Sequence, residues 1–180
     1  DKVNHKMAIW IKTNLYSATD TVLWIYYGNP EATEPARDST YGAENVWDDN
    51  YKMVQHLHEK SGTHYDSTKY HNNGIPYGGV TQNVQGQING ADGFDGTNDY
   101  VDCGNDSSLD ITDEITIEAW VKLNANDDRG YVIEKFHKWG LIIEGDYRFT
   151  SFIVGTSSKP ADLTTTDTLN LGEFVHIAMT

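Results

Sequence analysis

The sequence predicts an all-β protein built as an antiparallel β-sandwich. Its 180 residues include 16 glycines and 11 tyrosines, with many threonines, asparagines and aspartates, which are the residues of strands and of the turns between them. Short runs of β-branched and aromatic residues recur along the chain with turn residues between them. No segment shows the 3.6-residue period of an amphipathic helix. Strands at this spacing are typical of a sandwich.

The first fifty residues predict a small β appendage. Residues 7–12 and 21–27 are β-branched and aromatic runs separated by turn residues, as in a hairpin or meander. Residues 31–44 are polar and contain Pro35, which indicates a linker or a long loop. We therefore divide the chain into an N-terminal β segment with its linker, residues 1–43, and a β-sandwich, residues 44–180.

The predicted sandwich begins with a strand at residues 53–57 and continues through short strands and tight turns. Its clearest strand covers residues 115–123, where apolar residues occupy every second position and polar residues and Trp120 lie between them. Further strands are predicted at residues 131–135, 140–144, 148–154 and 174–178.

Charge and composition exclude several classes of partner. Thirteen Lys and Arg against 27 Asp and Glu give a formal charge of −14, which repels nucleic acid and anionic membrane surfaces. No apolar run approaches the roughly 20 residues that span a bilayer, and no charged-then-apolar leader is visible, as expected after cleavage or within a longer chain. Cys103 is the only cysteine, which excludes a disulfide framework.

Three ordered motifs, at residues 62–74, 94–101 and 115–121, resemble the laminin-G-like branch of the concanavalin A-like lectin/glucanase superfamily. The resemblance covers about residues 51–180 and implies a jelly-roll β-sandwich. The first 50 residues resemble the end of an uncharacterised β domain that precedes such modules in prokaryotic surface proteins. Together these resemblances imply an extracellular or cell-envelope location.

The chain departs from the family pattern at two places. Gln55 stands where the family usually has Trp, and Asp92 and Gly93 interrupt a small-apolar alternation, so we expect weaker local packing there. In the family the strand at 174–178 is followed by several more, so the sandwich is expected to be incomplete at its C-terminus. An open sheet edge needs a partner, which leaves two explanations: the chain is a segment of a longer polypeptide, or a neighbouring copy supplies strands.

An oxygen-rich loop suggests a calcium site. Asp66, Asn72 and Asn73 lie between Gly62 and Gly74, and calcium takes 6 to 8 oxygen ligands. The resemblance supports calcium near this loop and makes Asp66 the best candidate. The alternative is that these side chains bond the local main chain in turns. Weaker candidates for the same role are Asp48, Asp49, Asp127 and Asp128. His56 and His58 are too few for zinc, and the resemblance implies a structural His56.

No catalytic arrangement is apparent. Retaining glycosidases need two carboxylates about 5 to 5.5 Å apart, whereas Glu118, Glu134 and Glu144 fall on different predicted strands. No Gly-x-Ser-x-Gly elbow is present either. The sequence therefore predicts that the protein is not an enzyme.

Aromatic residues suggest sugar binding, because their faces stack on pyranose rings while polar groups fix the hydroxyls. The candidates at predicted exposed or loop positions are Trp10, Trp24, Tyr70, Tyr77 and Trp139. The alternative for each is ordinary core or cross-strand packing, and the resemblance implies a structural Trp120. Asn105-Asp-Ser107 is a glycosylation sequon in a predicted loop.

These observations predict a non-catalytic extracellular or cell-surface module for adhesion or glycan binding, with calcium as a structural ion and glycans or other envelope proteins as partners. The alternative is a structural subunit of a surface filament, sheath or layer that self-assembles through open sheet edges. A third hypothesis is an accessory module of a glycoside hydrolase.

Overall fold

A computed structural model describes residues 8–125, 129–136, 138–153 and 161–180, and the side chains of 151–153 and 161–163 lie outside that description. The described chain is all-β, with ten strands, two single-turn 3-10 helices (Ala43–Asn45 and Ser107–Leu109) and no α-helix. None of its helical segments has the length and apolarity needed to cross a membrane. The chain divides into two compact units, Asp1–Gly104 and Asn105–Thr180. The predicted boundary between residues 43 and 44 stays a prediction.

The strands are β1 (Ile75–Tyr77), β2 (Thr81–Gln85), β3 (Gly90–Gly93), β4 (Tyr100–Asp102), β5 (Ile117–Lys122), β6 (Gly130–Lys135), β7 (Trp139–Ile143), β8 (Phe149–Ile153), β9 (Ala161–Thr164) and β10 (Phe174–Met179).

The first unit contains two small antiparallel sheets. Strand β1 pairs with β4, which places Tyr77 opposite Tyr100. Strand β2 pairs with β3, with an irregularity in register between Thr81 and Val84. Asn83, within that irregularity, has a φ of 56°. The hairpin is therefore bulged, which is how a strand bends and redirects a side chain.

The second unit contains a four-stranded sheet in the order β6-β7-β8-β9 and a two-stranded sheet of β5 and β10. Every pairing in both sheets is antiparallel. The strands predicted at residues 115–123, 131–135, 140–144 and 174–178 are confirmed, as is the strand at 148–154 over its described residues, and residue 154 lies outside them. The antiparallel all-β architecture is consistent with a concanavalin A-like β-sandwich. Strand pairing between copies stays a prediction.

The apolar core of the described chain lies in the second unit. All five residues of β7 are buried, as expected for a strand between two neighbours with both faces covered. On β5, Ile117 is buried while Glu118 and Trp120 on the opposite face are exposed, so the predicted alternation is confirmed. The buried apolar side chains are Leu109, Ile117, Trp139, Leu141, Ile142, Ile143, Ile177 and Met179.

The predicted N-terminal strands are not formed. Residues 8–12 and 21–27 carry no strand in the structure, and Met7 lies outside the described residues. Side chains that were expected to pack in a sheet are exposed, for example Trp24 at 79% and Tyr27 at 94%. The prediction was wrong because a β-rich composition produces a strand only where another strand offers hydrogen-bonding partners.

The strand predicted at residues 53–57 is reduced to a single bridge between Gln55 and Asp66. Two local features explain this difference. The main-chain N–H of Val54 donates to the carboxylate of Asp66 instead of to a strand, and Leu57 has a φ of 51°, which interrupts extended backbone.

Candidate functional site

The outward side of the β5–β10 sheet presents an exposed tryptophan among charged groups. The strand register sets Trp120 opposite His176, and it sets Glu118 opposite Ala178 and Lys122 opposite Phe174. We call this surface the Trp120 face; its residues are Glu118, Trp120, Lys122, Phe174, His176 and Ala178. The Trp120 face forms because apolar and outward-facing residues alternate along β5. Successive side chains of a strand point to opposite faces, so the apolar residues turn inward while Glu118, Trp120 and Lys122 turn outward.

Cross-strand contacts fix the side chains of the Trp120 face. The Trp120 ring is 42% exposed and lies against His176, with ring centroids 5.2 Å apart and an interplanar angle of 47°. Nε2 of His176 is 3.4 Å from Oε2 of Glu118. The Lys122 ammonium lies 5.1 Å from the Phe174 ring centroid. The indole plane of Trp120 is thus flanked by an imidazole, a carboxylate and an ammonium group. All three of these polar groups can form hydrogen bonds with the hydroxyls of a ligand.

The oxygen-rich loop is organised around Asp66, whose residue exposure is 0%. Oδ1 accepts hydrogen bonds from the N–H groups of Val54 and Thr68, each at 2.9 Å. Oδ2 accepts the hydroxyl of Thr68 at 2.8 Å and the N–H of Asn72 at 2.9 Å. The Asn73 amide oxygen in turn accepts the Asp66 N–H at 2.9 Å. Main-chain N–H groups bonded to the Asp66 carboxylate therefore hold the loop in its conformation.

These contacts determine whether the Asp66 carboxylate has lone pairs free to bind calcium. An ionised carboxylate offers about four lone-pair sites, and four donors already occupy those of Asp66. The amide of Asn72 donates to the Lys52 carbonyl at 2.8 Å. In this geometry Asp66 does not fit the role of a calcium ligand and matches the alternative that it bonds local main chain. Among the described residues, no group of three or more His, Cys, Asp or Glu could hold a metal ion. Calcium binding elsewhere stays a prediction.

The other predicted metal candidates that the structure describes have hydrogen-bond or ion-pair partners of their own. Asp48 accepts the N–H of Asn50 at 2.9 Å, and Asp49 pairs with Lys69 at 2.5 Å. That contact lowers the pKa of the Asp49 carboxyl. Both aspartates border an open polar cleft of about 520 Å³ that Trp47 also lines. Asp127 and Asp128 lie outside the described residues.

The five predicted sugar-binding aromatics occupy different environments. Trp24 is 79% exposed and Trp10 is 39% exposed, with the Trp10 ring 4.3 Å from His56. Tyr77 is 44% exposed and stacks on Tyr100 at 5.0 Å.

Tyr70 and Trp139 are held by internal contacts. The Tyr70 hydroxyl donates to the Asp49 carbonyl and accepts the Lys52 ammonium, each at 2.9 Å. Trp139 is only 4% exposed, and its indole N–H donates to the Leu109 carbonyl at 3.1 Å. The exposed position predicted for Trp139 was wrong, because Trp139 is the first residue of β7, which is buried throughout. Its ring is part of the core and cannot stack on a ligand.

Sequence reasoning assigned a structural role to Trp120, yet its ring is exposed beside His176. The alternation of residues 115–123 already placed Trp120 opposite the apolar face and could have indicated this. The carboxylates considered for catalysis are engaged separately: Glu118 lies near His176, and Glu144 forms two contacts with Arg129, at 2.9 and 3.1 Å. Asn105 is exposed, and its glycosylation stays a prediction.

Sequence reasoning also missed a buried cluster in the first unit. His64 is fully buried, with Nδ1 3.0 Å from Oε2 of Glu59 and Nε2 2.8 Å from Oδ2 of Asp92. The only signal was the acidic residue at position 92, where an apolar alternation is interrupted. Cys103 is also in this unit, and burial together with the nearby Asp102 raises the pKa of its thiol to about 11, which disfavours the nucleophilic thiolate.

The antiparallel sheets and the exposed aromatic face define an all-β module of the sandwich class. Comparison with protein families makes this more specific: residues 95–180 match Laminin_G_3, described as the concanavalin A-like lectin/glucanases superfamily. The predicted resemblance is confirmed over that segment, which includes β5 and β10, while the likeness of residues 51–94 stays a prediction. No curated protein and no solved structure matches the chain significantly.

Proposed function

We propose that the protein is a glycan-binding module that holds its ligand on the Trp120 face. The observation that carries the proposal is the exposed indole of Trp120 at the centre of the outward side of β5 and β10. Both strands lie in the segment that matches the lectin/glucanase superfamily. A superfamily of lectins and glucanases supports a carbohydrate-binding type of module.

The chemistry of the Trp120 face suits a sugar ring. The apolar face of a pyranose stacks on an aromatic plane, and the surrounding hydroxyls need donors and acceptors. Trp120 supplies the plane and Glu118 an acceptor, while His176 can serve as either donor or acceptor. Ala178 lies opposite Glu118 in the register, and its short side chain leaves room beside the carboxylate. Cross-strand packing with His176 holds the indole in place before a ligand arrives, which reduces the entropy lost on binding.

Binding is proposed without catalysis. The superfamily contains glucanases, and a glycosidase of the common type needs two carboxylates flanking the scissile bond. On the Trp120 face Glu118 is the carboxylate contributed by the two strands. Glu144 follows β7 in the other sheet of the unit and is bound by Arg129. This arrangement supports a binding module. The same proposal takes adhesion or glycan capture at a cell surface, or outside the cell, as its function.

A glycan array followed by titration calorimetry with the best glycan tests the proposal. Trp120→Ala should weaken binding at least tenfold, because it removes the stacking plane, and tenfold corresponds to about 1.4 kcal/mol. Trp24→Ala is the matched control, since Trp24 is a more exposed indole in the other unit, and it should leave affinity unchanged. Loss of binding with Trp24→Ala alone would contradict the Trp120 face and support the earlier prediction for Trp24. If the protein bound none of the glycans on the array, the proposed function would be refuted.

A further inference from the structure

Three titratable groups meet in the interior of the first unit. We call Glu59, His64 and Asp92 the buried triad. The side chains of His64 and Asp92 are both 0% exposed, and Glu59 closes the cluster at 14%. The imidazole lies between the two carboxyl groups, one at each ring nitrogen. The ligand atoms therefore point at different nitrogens, so the buried triad cannot converge on one metal ion.

The buried triad joins two separate parts of the unit. Glu59 and His64 belong to the segment that precedes β1, and the main chain of His64 bonds Gly74 in both directions, at 2.8 and 2.9 Å. Asp92 belongs to β3 of the bulged hairpin. Backbone contact is close at the same place, because a Cβ on Gly90 would lie 2.6 Å from the Leu57 carbonyl oxygen. The stability of the contacts within the triad therefore affects how firmly the β2–β3 hairpin is held against the segment that precedes β1.

The surrounding groups indicate where the protons are. Glu59 accepts the Tyr65 N–H at 3.0 Å through its other oxygen, so its contact with His64 is that of an ionised acceptor. Gln82 donates to the Gly62 carbonyl and also presents its amide nitrogen 3.0 Å from Nε2 of His64. Oδ2 of Asp92 lies 2.8 Å from the same nitrogen, yet neither carboxyl oxygen of Asp92 forms a well-aligned hydrogen bond with a described residue. A buried carboxyl group without a good donor is more stable in its protonated form.

The pKa shifts of Asp92 and Glu59 agree with a protonated Asp92 and an ionised Glu59. Burial raises the pKa of Asp92, against the opposing effects of His64 and of the Asn83 main chain, and ionised Glu59 raises it further. Burial alone would raise the pKa of Glu59, but the Tyr65 N–H and His64 outweigh it and hold that pKa below its usual value. The nearby His58 acts on Glu59 in the same direction. Among the ion pairs of the described chain, no lysine or arginine contacts the triad.

We propose that the buried triad is a proton-dependent fastener, which holds the β2–β3 hairpin firmly in acidic solution and loosens it when Asp92 loses its proton. While Asp92 is protonated, Glu59 is the ionised carboxylate of the triad. Loss of the Asp92 proton leaves two buried carboxylates around the imidazole. Burying an uncompensated charge is costly, and the cost falls on the hairpin that carries Asp92.

The sign of the pH dependence follows from the two shifts. Asp92 has a folded-state pKa above its unfolded value, so its contribution to stability is complete below the unfolded pKa and is lost as pH rises through the folded one. Glu59 has a folded-state pKa below its unfolded value, so its contribution is present above the unfolded pKa and is lost as pH falls. The two contributions together are therefore largest near the unfolded pKa values of the two acids, 3.8 for Asp92 and 4.5 for Glu59, and they decline as pH rises from there through the folded-state pKa of Asp92.

Thermal unfolding of the full chain between pH 4 and pH 8.5 tests the fastener. Relative to Asp92→Asn, the melting temperature of the wild type should fall as pH rises from 4, by about 3–5 °C in total for each unit by which the Asp92 pKa is raised. Asp92→Asn imitates the protonated acid, so its melting temperature should lack this fall and exceed that of the wild type at pH 8.5. Asp20→Asn, an exposed control in the same unit, should follow the wild type.

Parallel pH profiles for the wild type and Asp92→Asn would overturn the proposal, as would an Asp92→Asn protein that is less stable at every pH. If Asp92→Asn does not fold, amide hydrogen exchange of the wild-type protein tests the proposal instead. Peptides covering β2 and β3 should then lose protection as pH rises from 4 to 8, after correction for intrinsic exchange, while β7 keeps its protection. Equal behaviour of the two regions would contradict the fastener. Neither measurement involves a glycan, so the result is independent of the proposed function.

Discussion

Four hydrogen bonds converge on the carboxylate of Asp66, and three of their donors are main-chain N–H groups from Val54, Thr68 and Asn72. A single side chain thus satisfies the backbone of a loop that has no helix or strand to do so. Buried main-chain donors left without acceptors cost about 1–3 kcal/mol each. The residue that the sequence suggested for metal binding is therefore a main determinant of loop structure.

Replacing Asp66 should destabilise the protein strongly. Asp66→Asn keeps the shape of the side chain but turns one acceptor oxygen into a donor, which leaves two donors facing an N–H₂ group. We expect a loss of about 3 kcal/mol or more in the free energy of unfolding, measured by urea denaturation. Asp49→Asn is the control, because that carboxylate is 81% exposed and exposed pairs contribute little. A loss below about 1 kcal/mol for Asp66→Asn would contradict this role.

At the scale of single elements, β7 and β5 show two ways in which a strand uses its sequence. The continuous apolar run of β7 lies between β6 and β8 and is buried throughout. The alternating sequence of β5 buries Ile117 and turns Trp120 outward. One strand therefore builds the core of the second unit, and the other both supports that core and presents the proposed binding face.

Truncating the centre of β7 should measure how tightly this core is packed. Leu141 is 0% exposed, so Leu141→Ala removes buried methyl groups and leaves a cavity. Such changes typically cost about 2–5 kcal/mol, which chemical denaturation would detect. Leu171→Ala is the matched control, since Leu171 is 50% exposed, and it should change stability by less than about 0.5 kcal/mol. Equal effects of the two variants would show that β7 is not packed as described.

At the scale of the whole molecule, the two units have different interiors. Every buried apolar side chain of the described residues lies in the second unit. The buried side chains of the first unit are polar: His64, Asp66, Ser67, Thr68 and Asn72. A core of hydrogen bonds and ionisable groups depends on solvent conditions in a way that an apolar core does not. The formal charge of −14 adds repulsion across the chain.

Salt should therefore stabilise the protein through screening. Raising NaCl from about 10 mM to 150 mM shortens the Debye length from about 30 to 8 Å, and we expect the melting temperature to rise by a few degrees. CaCl₂ and MgCl₂ at the same ionic strength should produce equal rises, and EDTA should have no effect, because Asp66 has no lone pair left for a cation. A larger rise with calcium than with magnesium would instead support the calcium prediction at another site. A fall in melting temperature with NaCl would contradict the screening argument.

Much of the second unit was predictable from its residues, because its strands carry their own signals. The alternation of 115–123 and the apolar run of 140–144 each specify which faces are buried. The same reasoning failed at residues 8–12, 21–27 and 53–57. Their composition is equally rich in β-forming residues, but strand formation depends on a partner that a single segment does not contain.

By itself, the sequence determined the all-β class, the family resemblance of residues 95–180, the positions of five strands and the acidic character of the surface. These depend on local periodicity, on ordered motifs and on charge, all of which can be counted along a chain. The tertiary structure decided that Trp139 is core while Trp120 is exposed, that Asp66 is saturated by main-chain donors, and that Asp92 meets His64. Each of these depends on which distant residues come together, and only the folded arrangement fixes that, because burial and hydrogen bonding are properties of the assembled neighbourhood.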